Sequence, residues 1–302
     1  MKTADPEALG FDAPRLARIS QWQQSYIDTR KFAGSSCLIA RGGQEAFFHA
    51  AGKRDLEAGT PFERDTVARI YSMTKPITSV ALMMLAEKGL FHLEAPLSDF
   101  IPEFSDMQAL VPGAERIDQT EPCATPTLHH LLTHTSGLSY PFNPGVLPRA
   151  MHEQDMMFKA NEGRLADQAA RLAELPLAFQ PGTRWEYSVS IDVLGRVIEV
   201  VSGKSLADFF ADEIFAPLGM TDTAFSVPAH ARDRFAALYT PLAGSAFDLN
   251  NADAKADSLR LADAPEGSIF HNAVTYSGGG GLVGTIDDYM RFVEMLRTGG
   301  RA

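Results

Sequence analysis

Cysteine is scarce in this chain: 302 residues carry only Cys37 and Cys123. Cys37 sits in the apolar string SSCLIA and reads as a buried strand residue, and Cys123 falls in a proline-containing loop. That usage points to neither a disulfide framework nor a thiol nucleophile. Positive charge is also short, with 27 Lys and Arg against 38 Asp and Glu, a net charge of −11. This balance argues against a nucleic-acid or anionic-membrane partner, each of which needs a basic face. No window approaches the roughly 20 apolar residues of a bilayer span. The N-terminal stretch MKTADPEALGFDAP carries Asp5 and Glu7 and no apolar core, so it does not read as a secretory signal. A reduced, cytoplasmic compartment is the resulting expectation.

Several chemistry-bearing motifs are missing too. There is no G-x-S-x-G elbow, which disfavours an α/β-hydrolase triad. His130 and His134 have the i, i+4 spacing of a zinc helix, but the string is HLLTH, without the glutamate or a third ligand. Gly279-x-Gly281-x-x-Gly284 matches the dinucleotide fingerprint formally, yet the acidic residue expected about 20 positions on would fall past Ala302. It reads instead as a flexible loop entering a capped helix. No metal and no cofactor are expected. Internal repeats, low-complexity tracts and linkers are absent as well.

What is present suits a soluble globular protein, 45% apolar and 22% charged, long enough for one large domain or two intimate ones. Residues 14–29, with Leu16, Ile19 and Trp22, predict an amphipathic helix. SSCLIA and EAFFHAAG predict strands joined by a tight turn at Arg41-Gly42-Gly43-Gln44, so part of a sheet is antiparallel. From Ser72 the period becomes helical: Ile77, Val80, Ala81, Met84 and Leu85 form one stripe, and Gly89 marks the stop. Further helices are predicted near 164–175, over Ile191–Val201 and in SGKSLADFFADEIFAPLGM. A last one should run behind a Thr285/Asp288 capping box with Ile286, Met290, Val293 and Leu296 on its apolar face. Arg297-Thr298-Gly299 then reads as its basic last turn and glycine stop.

Ser72-Met73-Thr74-Lys75 fits S-x-x-K at the start of a buried helix. Residues i and i+3 are surface neighbours there, with Cβ atoms about 5–6 Å apart. The helix N-terminus favours a developing alkoxide and disfavours an ammonium, which suits a serine nucleophile with a lysine base. Read alone, the tetrad reads first as an N-cap serine followed by a solvated first-turn lysine, since the motif needs structural context. Tyr187, in WEYSVSIDVLG just ahead of a helix, is either a core aromatic or a phenol that passes a proton between Ser72 and a leaving group.

IYSMTKPITSVALMMLAEKG, TLHHLLTHTSGLSY, PGTRWEYSVSIDVLGRVIEVVSGKSL, IFAPLGMTDTAF and GGGGLVGTIDDYMRF occur in the order found in serine β-lactamase-like hydrolases. The chain most resembles carboxylesterase family VIII, the esterases similar to class C β-lactamases and penicillin-binding proteins, from about residue 9 to 300. The resemblance implies Ser72 as acyl nucleophile, Lys75 as its base and Tyr187 as the second proton-transfer residue. It implies an α/β (α+β) fold of the β-lactamase/transpeptidase type: an antiparallel sheet flanked by helices, plus a helical region, with the site between them. Residues 1–75 and 216–302 would supply the α/β region and residues 76–215 the mainly helical one. The reaction implied is hydrolysis of a small-molecule carboxylic ester through an acyl-enzyme.

Two departures qualify the resemblance. Where the lactamase branch has Tyr-x-Asn, this chain has Val189, unable to hydrogen-bond through its side chain. No Ser-Asp-Asn occurs either; the nearest string is Ser98-Asp99-Phe100. This favours the esterase branch over a β-lactamase or D-amino-acid peptidase. The family's C-terminal strand, which shares the oxyanion hole, should follow the DDYMRF helix and would lie past Ala302. The chain is therefore read as truncated, and a weakly active or non-catalytic acyl-binding fragment stays open as the other class of function. Trp185, Tyr140 and Phe142, with Val189, are candidate substrate-pocket walls, each equally readable as core. Acyl preference and oligomeric state are not encoded in any of these patterns.

Overall fold

Gly42 and Gly43 take left-handed conformations (φ 59° and 79°) and turn the longest hairpin among the described residues back on itself. In the computed structural model, which describes residues 1–241 and 259–301, that hairpin joins strands β2 (Gly34–Arg41) and β3 (Gln44–Asp55). The pair is antiparallel, as the string predicts, with a register shift at Ile39/Ala40. Strand β1 (Lys2–Thr3) adds to β3 in parallel and β4 (Thr60–Pro61) antiparallel, so the sheet is mixed rather than purely antiparallel. Helix α1 (Ala13–Asp28) lies on this sheet behind an Asp12 cap. Its inward face holds Leu16 and the buried Gln23, whose amide meets the Ser35 hydroxyl and the His49 ring; Trp22 is half-exposed and stacks on Tyr26 instead. The expected apolar stripe is thus turned by one position, because a glutamine with two partners in the sheet can be buried without penalty.

Strand β5 (Ala68–Arg69) leads into helix α2 (Thr74–Glu87). The buried face of α2 is Ile77, Ala81, Leu82 and Leu85, with Val80 and Met84 half-buried at its margin. After two short strands, β6 (Gln108–Leu110) and β7 (Thr120–Pro122), come helices α3 (Leu128–Leu132), α4 (Val146–Glu153), α5 (Leu165–Ala173) and α6 (Ser190–Ser202). Helix α6 is the hub: Ile191, Val193, Leu194, Val197 and Ile198 are all essentially inaccessible, and α2, α3 and α5 pack around it. Its outer edge is narrow, formed by Arg196, Glu199 and the exposed Val200, as expected of a helix enclosed on most sides. Helix α7 (Leu206–Phe210) continues through a π-turn over Ala211–Phe215 into α8 (Ala216–Leu218).

Strands β8 (Leu238–Pro241) and β9 (Leu259–Asp263) pair with each other, β10 (Val283–Gly284) pairs with β5, and helix α9 (Ile286–Arg297) closes the described residues. The Thr285 hydroxyl accepts from the Asp288 amide, but the other half of the expected capping box is not made. The Asp288 carboxylate turns inward to accept from the Asp222 amide at 2.8 Å and the Thr223 hydroxyl at 3.0 Å. This rotates α9 so that Phe292 faces the core while Val293 and Leu296 are exposed, correcting the predicted apolar face. Gly299 (φ 71°) ends the helix after Arg297, as expected. No helix is long and apolar enough to cross a membrane among the described residues.

Candidate active site

Ser72 does not cap the helix. It lies in a single 3₁₀ turn, Tyr71–Met73, and α2 starts two residues later without a side-chain cap. The turn is reached through Tyr71, a non-glycine residue in the left-handed region (φ 43°), a conformation that costs about 1–2 kcal/mol. Its neighbours hold it there: the Ile70 amide donates to the Leu282 carbonyl at 3.0 Å, and the Tyr289 hydroxyl donates to the Met73 carbonyl at 3.1 Å. The result is an exposed Ser72 hydroxyl over a buried helix start, its N–H ahead of any intrahelical acceptor.

Lys75 is buried, and its Nζ meets three oxygens: Gly279 O at 2.6 Å, Tyr140 Oη at 3.1 Å and Ser72 Oγ at 3.2 Å. As an ammonium, Lys75 donates to all three; once it gives up one proton, donation to Gly279 and Tyr140 leaves its lone pair facing Ser72, the arrangement a base needs. Tyr187 Oη lies 2.6 Å from Ser72 Oγ on the other side. Lys75 Nζ also sits 4.7 Å from the Tyr187 ring centre and 5.4 Å from that of Tyr140. Burial, then the neighbouring Asp192 and Tyr187, push the Tyr140 phenol well above its ordinary range, so it stays neutral and accepts from the lysine.

Tyr187 is fixed through its backbone and its ring. Asn143 Nδ2 donates to the Tyr187 carbonyl at 2.8 Å and to Ser139 Oγ at 3.0 Å, and the Ser139 hydroxyl donates to Glu186. The His134 ring lies 5.0 Å from the Tyr187 ring, and its Nδ1 accepts from the Ser188 amide at 3.3 Å. Nδ1 being the acceptor, the ring proton resides on Nε2. Burial and then the Lys75 charge push the His134 pKa down to about 4, so the ring is neutral at physiological pH. His130 is spent on capping α3, its Nδ1 accepting from the Thr127 amide. Among the described residues no group of three His, Cys, Asp or Glu side chains could hold a metal.

The glycine run 278–281 forms the third wall. A side chain at Gly279 would overlap the Asp192 carboxylate, and a Cβ at Gly278 would lie 2.8 Å from the Ile191 carbonyl. Only glycine permits that approach, which explains a run that is neither a flexible entry loop nor a nucleotide cradle. Asp192, fully buried on α6, accepts from the Ser277 hydroxyl and from the Gly279 amide at 3.0 Å. Burial pushes its carboxyl up, against the opposing pull of Ser277 and Lys75. Spacing did not reveal Asp192, Asn143, Ser139 or Ser277. The one available signal was an aspartate inside the apolar string IDVLGRVI.

The expected pocket walls separate. Val189 is completely buried at the N-cap of α6 and cannot touch a substrate, because the helix start turns it into the core. Tyr140 is a polar partner of Lys75 rather than an apolar wall. Phe142 stacks on Tyr140 at 4.7 Å, and Trp185, 65% exposed, lies 6.5 Å from the Tyr187 ring, so these two stand at the surface beside the site.

A buried lysine between a serine and a tyrosine, on an α/β frame with small antiparallel sheets, defines the β-lactamase/transpeptidase-like class. The chain belongs to the beta-lactamase family, whose description it matches over residues 19–302. It is 34% identical to esterase EstB of Burkholderia gladioli, across 97% of this chain and 73% of that protein. It is 36% identical to lovastatin esterase of Penicillium rubens, across 67% of this chain and 51% of that enzyme. The chain therefore spans from about half to three quarters of these relatives. Among solved structures, EstCE1, a hydrolase with promiscuous acyltransferase activity, superposes with a TM-score of 0.76 at 28% identity, covering 98% of this chain and 74% of that one. Simvastatin synthase of Aspergillus terreus follows at 0.72 and 26%, covering 97% and 69%.

Proposed function

We propose that this chain hydrolyses carboxylic esters through an acyl-enzyme on Ser72, with no metal or cofactor. The observation that carries the reading is the placement of the Ser72 hydroxyl between Lys75 Nζ at 3.2 Å and Tyr187 Oη at 2.6 Å. Ser72 Oγ attacks the ester carbonyl carbon while its proton passes to the Lys75 amine. The oxyanion forms near the Ser72 N–H, at the entrance of α2, where the helix dipole favours negative charge. The C–O bond then breaks, the Tyr187 phenol donating to the leaving alkoxide and being reprotonated from Lys75. Water attacks the acyl-enzyme through the same groups in reverse and releases the acid.

Similarity to proteins named as esterases supports this branch. A second reading, transfer of the acyl group to an alcohol in place of water, is supported by the relative named acyltransferase calJ of Penicillium decumbens, 32% identical. Nitrophenyl-acetate turnover by the wild type and by Ser72→Ala tests the proposal. The variant is expected at the buffer rate; equal rates would overturn the assignment. Nitrocefin hydrolysis faster than ester hydrolysis would move the chain to the lactamase branch. An alcohol that diverts product from acid to a new ester would favour transfer.

A further inference from the structure

Asp192 touches no reacting atom, yet it is wholly buried and bonded to the residue whose carbonyl holds Lys75. Its carboxylate accepts from the Gly279 amide at 3.0 Å and from the Ser277 hydroxyl, and the carbonyl of the same Gly279 accepts from Lys75 Nζ at 2.6 Å. Gly279 thus has its N–H held by α6 and its C=O presented to α2. Its neighbours are tied to α2 directly: the Thr78 hydroxyl donates to the Gly278 carbonyl at 2.7 Å, and the Leu282 amide donates to the Thr74 hydroxyl at 3.2 Å. Those two bonds place the ends of the run. Between them the Gly280 and Gly281 amides donate to the Ser277 carbonyl at 3.4 and 2.9 Å, and Asp192 adds the side-chain hold, gripping both the Ser277 hydroxyl and the Gly279 amide of a turn that has little backbone preference of its own.

We propose that Asp192 is a positioning residue for ester cleavage: through its hydrogen bond to Gly279 it aims the carbonyl that holds Lys75 with its lone pair toward Ser72. The inference rests on the reading of Ser72 and Lys75 above. Burying a carboxylate is costly unless it is hydrogen-bonded, and both donors to this one belong to the loop that contacts the lysine. If the Gly279 carbonyl turns away, Lys75 loses the closest of its three partners and can rotate off Ser72. A misplacement of about 1 Å at a reacting group costs roughly a hundredfold in rate.

The test compares wild type, D192A, D192N and S72A for nitrophenyl-acetate kcat and KM, and for the rate at which a fluorophosphonate labels Ser72. D192A is expected to label Ser72 and turn over ester roughly a hundredfold more slowly, with KM unchanged. Asparagine, which keeps an oxygen acceptor for Gly279, is expected to recover at least tenfold of that loss. Wild-type labelling by folded D192A, with S72A inactive, overturns the role of Asp192 and leaves the esterase reading standing. D192N as slow as D192A also overturns it, because charge and not the bond to Gly279 would then matter. Activity in S72A overturns both readings. Should D192A fail to fold, G279A serves in its place: its side chain would overlap the intact Asp192 and force the loop away. G279A is expected to show the same slow labelling, and normal labelling by it overturns the proposal.

Discussion

Ser72 Oγ and Tyr187 Oη stand 2.6 Å apart although 115 positions separate them in the chain. The contact joins the turn before α2 to the loop before α6, and the packing of those two helices on each other fixes its length. Tyr187→Phe removes the hydroxyl and keeps the ring against His134 and Tyr140. The expected outcome is a fall in kcat for nitrophenyl acetate of about 10²–10⁴-fold, the usual contribution of a positioned proton-transfer group. The melting temperature should stay within a few degrees, since the apolar contacts remain. An unchanged kcat would remove Tyr187 from the proton path.

Tyr140→Phe separates orientation of the lysine from its chemistry. The change deletes an oxygen that accepts from Lys75 Nζ at 3.1 Å while the ring, stacked on Phe142, can stay in place. A hydrogen bond to a charged group contributes about 1.5–3 kcal/mol. Roughly a tenfold to hundredfold loss in kcat, with KM little changed, is therefore expected from steady-state kinetics.

The pH response of stability should carry the signature of His134. Its pKa is near 4 in the folded chain, against 6.5 for a free ring, because burial and the Lys75 charge both oppose protonation. Between these values the unfolded chain binds a proton that the folded chain does not, so stability rises with pH across that window. The contribution is full above about pH 6.5 and is lost as the pH falls through about 4. His134→Asn, which tolerates the left-handed backbone at this position (φ 56°), should flatten the dependence of melting temperature on pH between those limits. An identical slope in the variant would assign the dependence to other groups.

How far the site could be read from sequence depended on how far apart its parts lie. Ser72 and Lys75 are three residues apart, so local spacing alone proposes their contact, and the structure places it at 3.2 Å. Tyr187 needed the order of whole sequence blocks, because nothing local connects it to Ser72. Asp192 stayed hidden, since a carboxylate in an apolar helix string becomes informative only once the 277–279 loop is seen against it. Val189 misled for the opposite reason: its place in the Tyr-x-Asn pattern of the lactamase branch suggested the site wall, but the entry into α6 turns it inward. On α9 a periodic apolar pattern pointed at Val293 and Leu296, whereas the inward pull on Asp288 set the rotation. Polar anchors of this kind leave no periodic trace.

Gly195, in the middle of α6, offers a test in which two effects oppose each other. Replacing a mid-helix glycine by alanine gains about 0.5–1 kcal/mol from reduced chain entropy. Here, however, a Cβ would lie 2.9 Å from Leu206 Cδ2 and 3.2 Å from Leu165 Cδ2. Both leucines are themselves buried, at 0% and 2% exposure, so their tips have nowhere to swing. Overpacking a filled core costs about 1–3 kcal/mol, which exceeds the helical gain. Gly195→Ala is therefore expected to lower the urea midpoint by an amount equivalent to roughly 1 kcal/mol. A raised midpoint would mean that α5 and α7 can move back from α6, and that the tight approach at Gly195 is not what holds them.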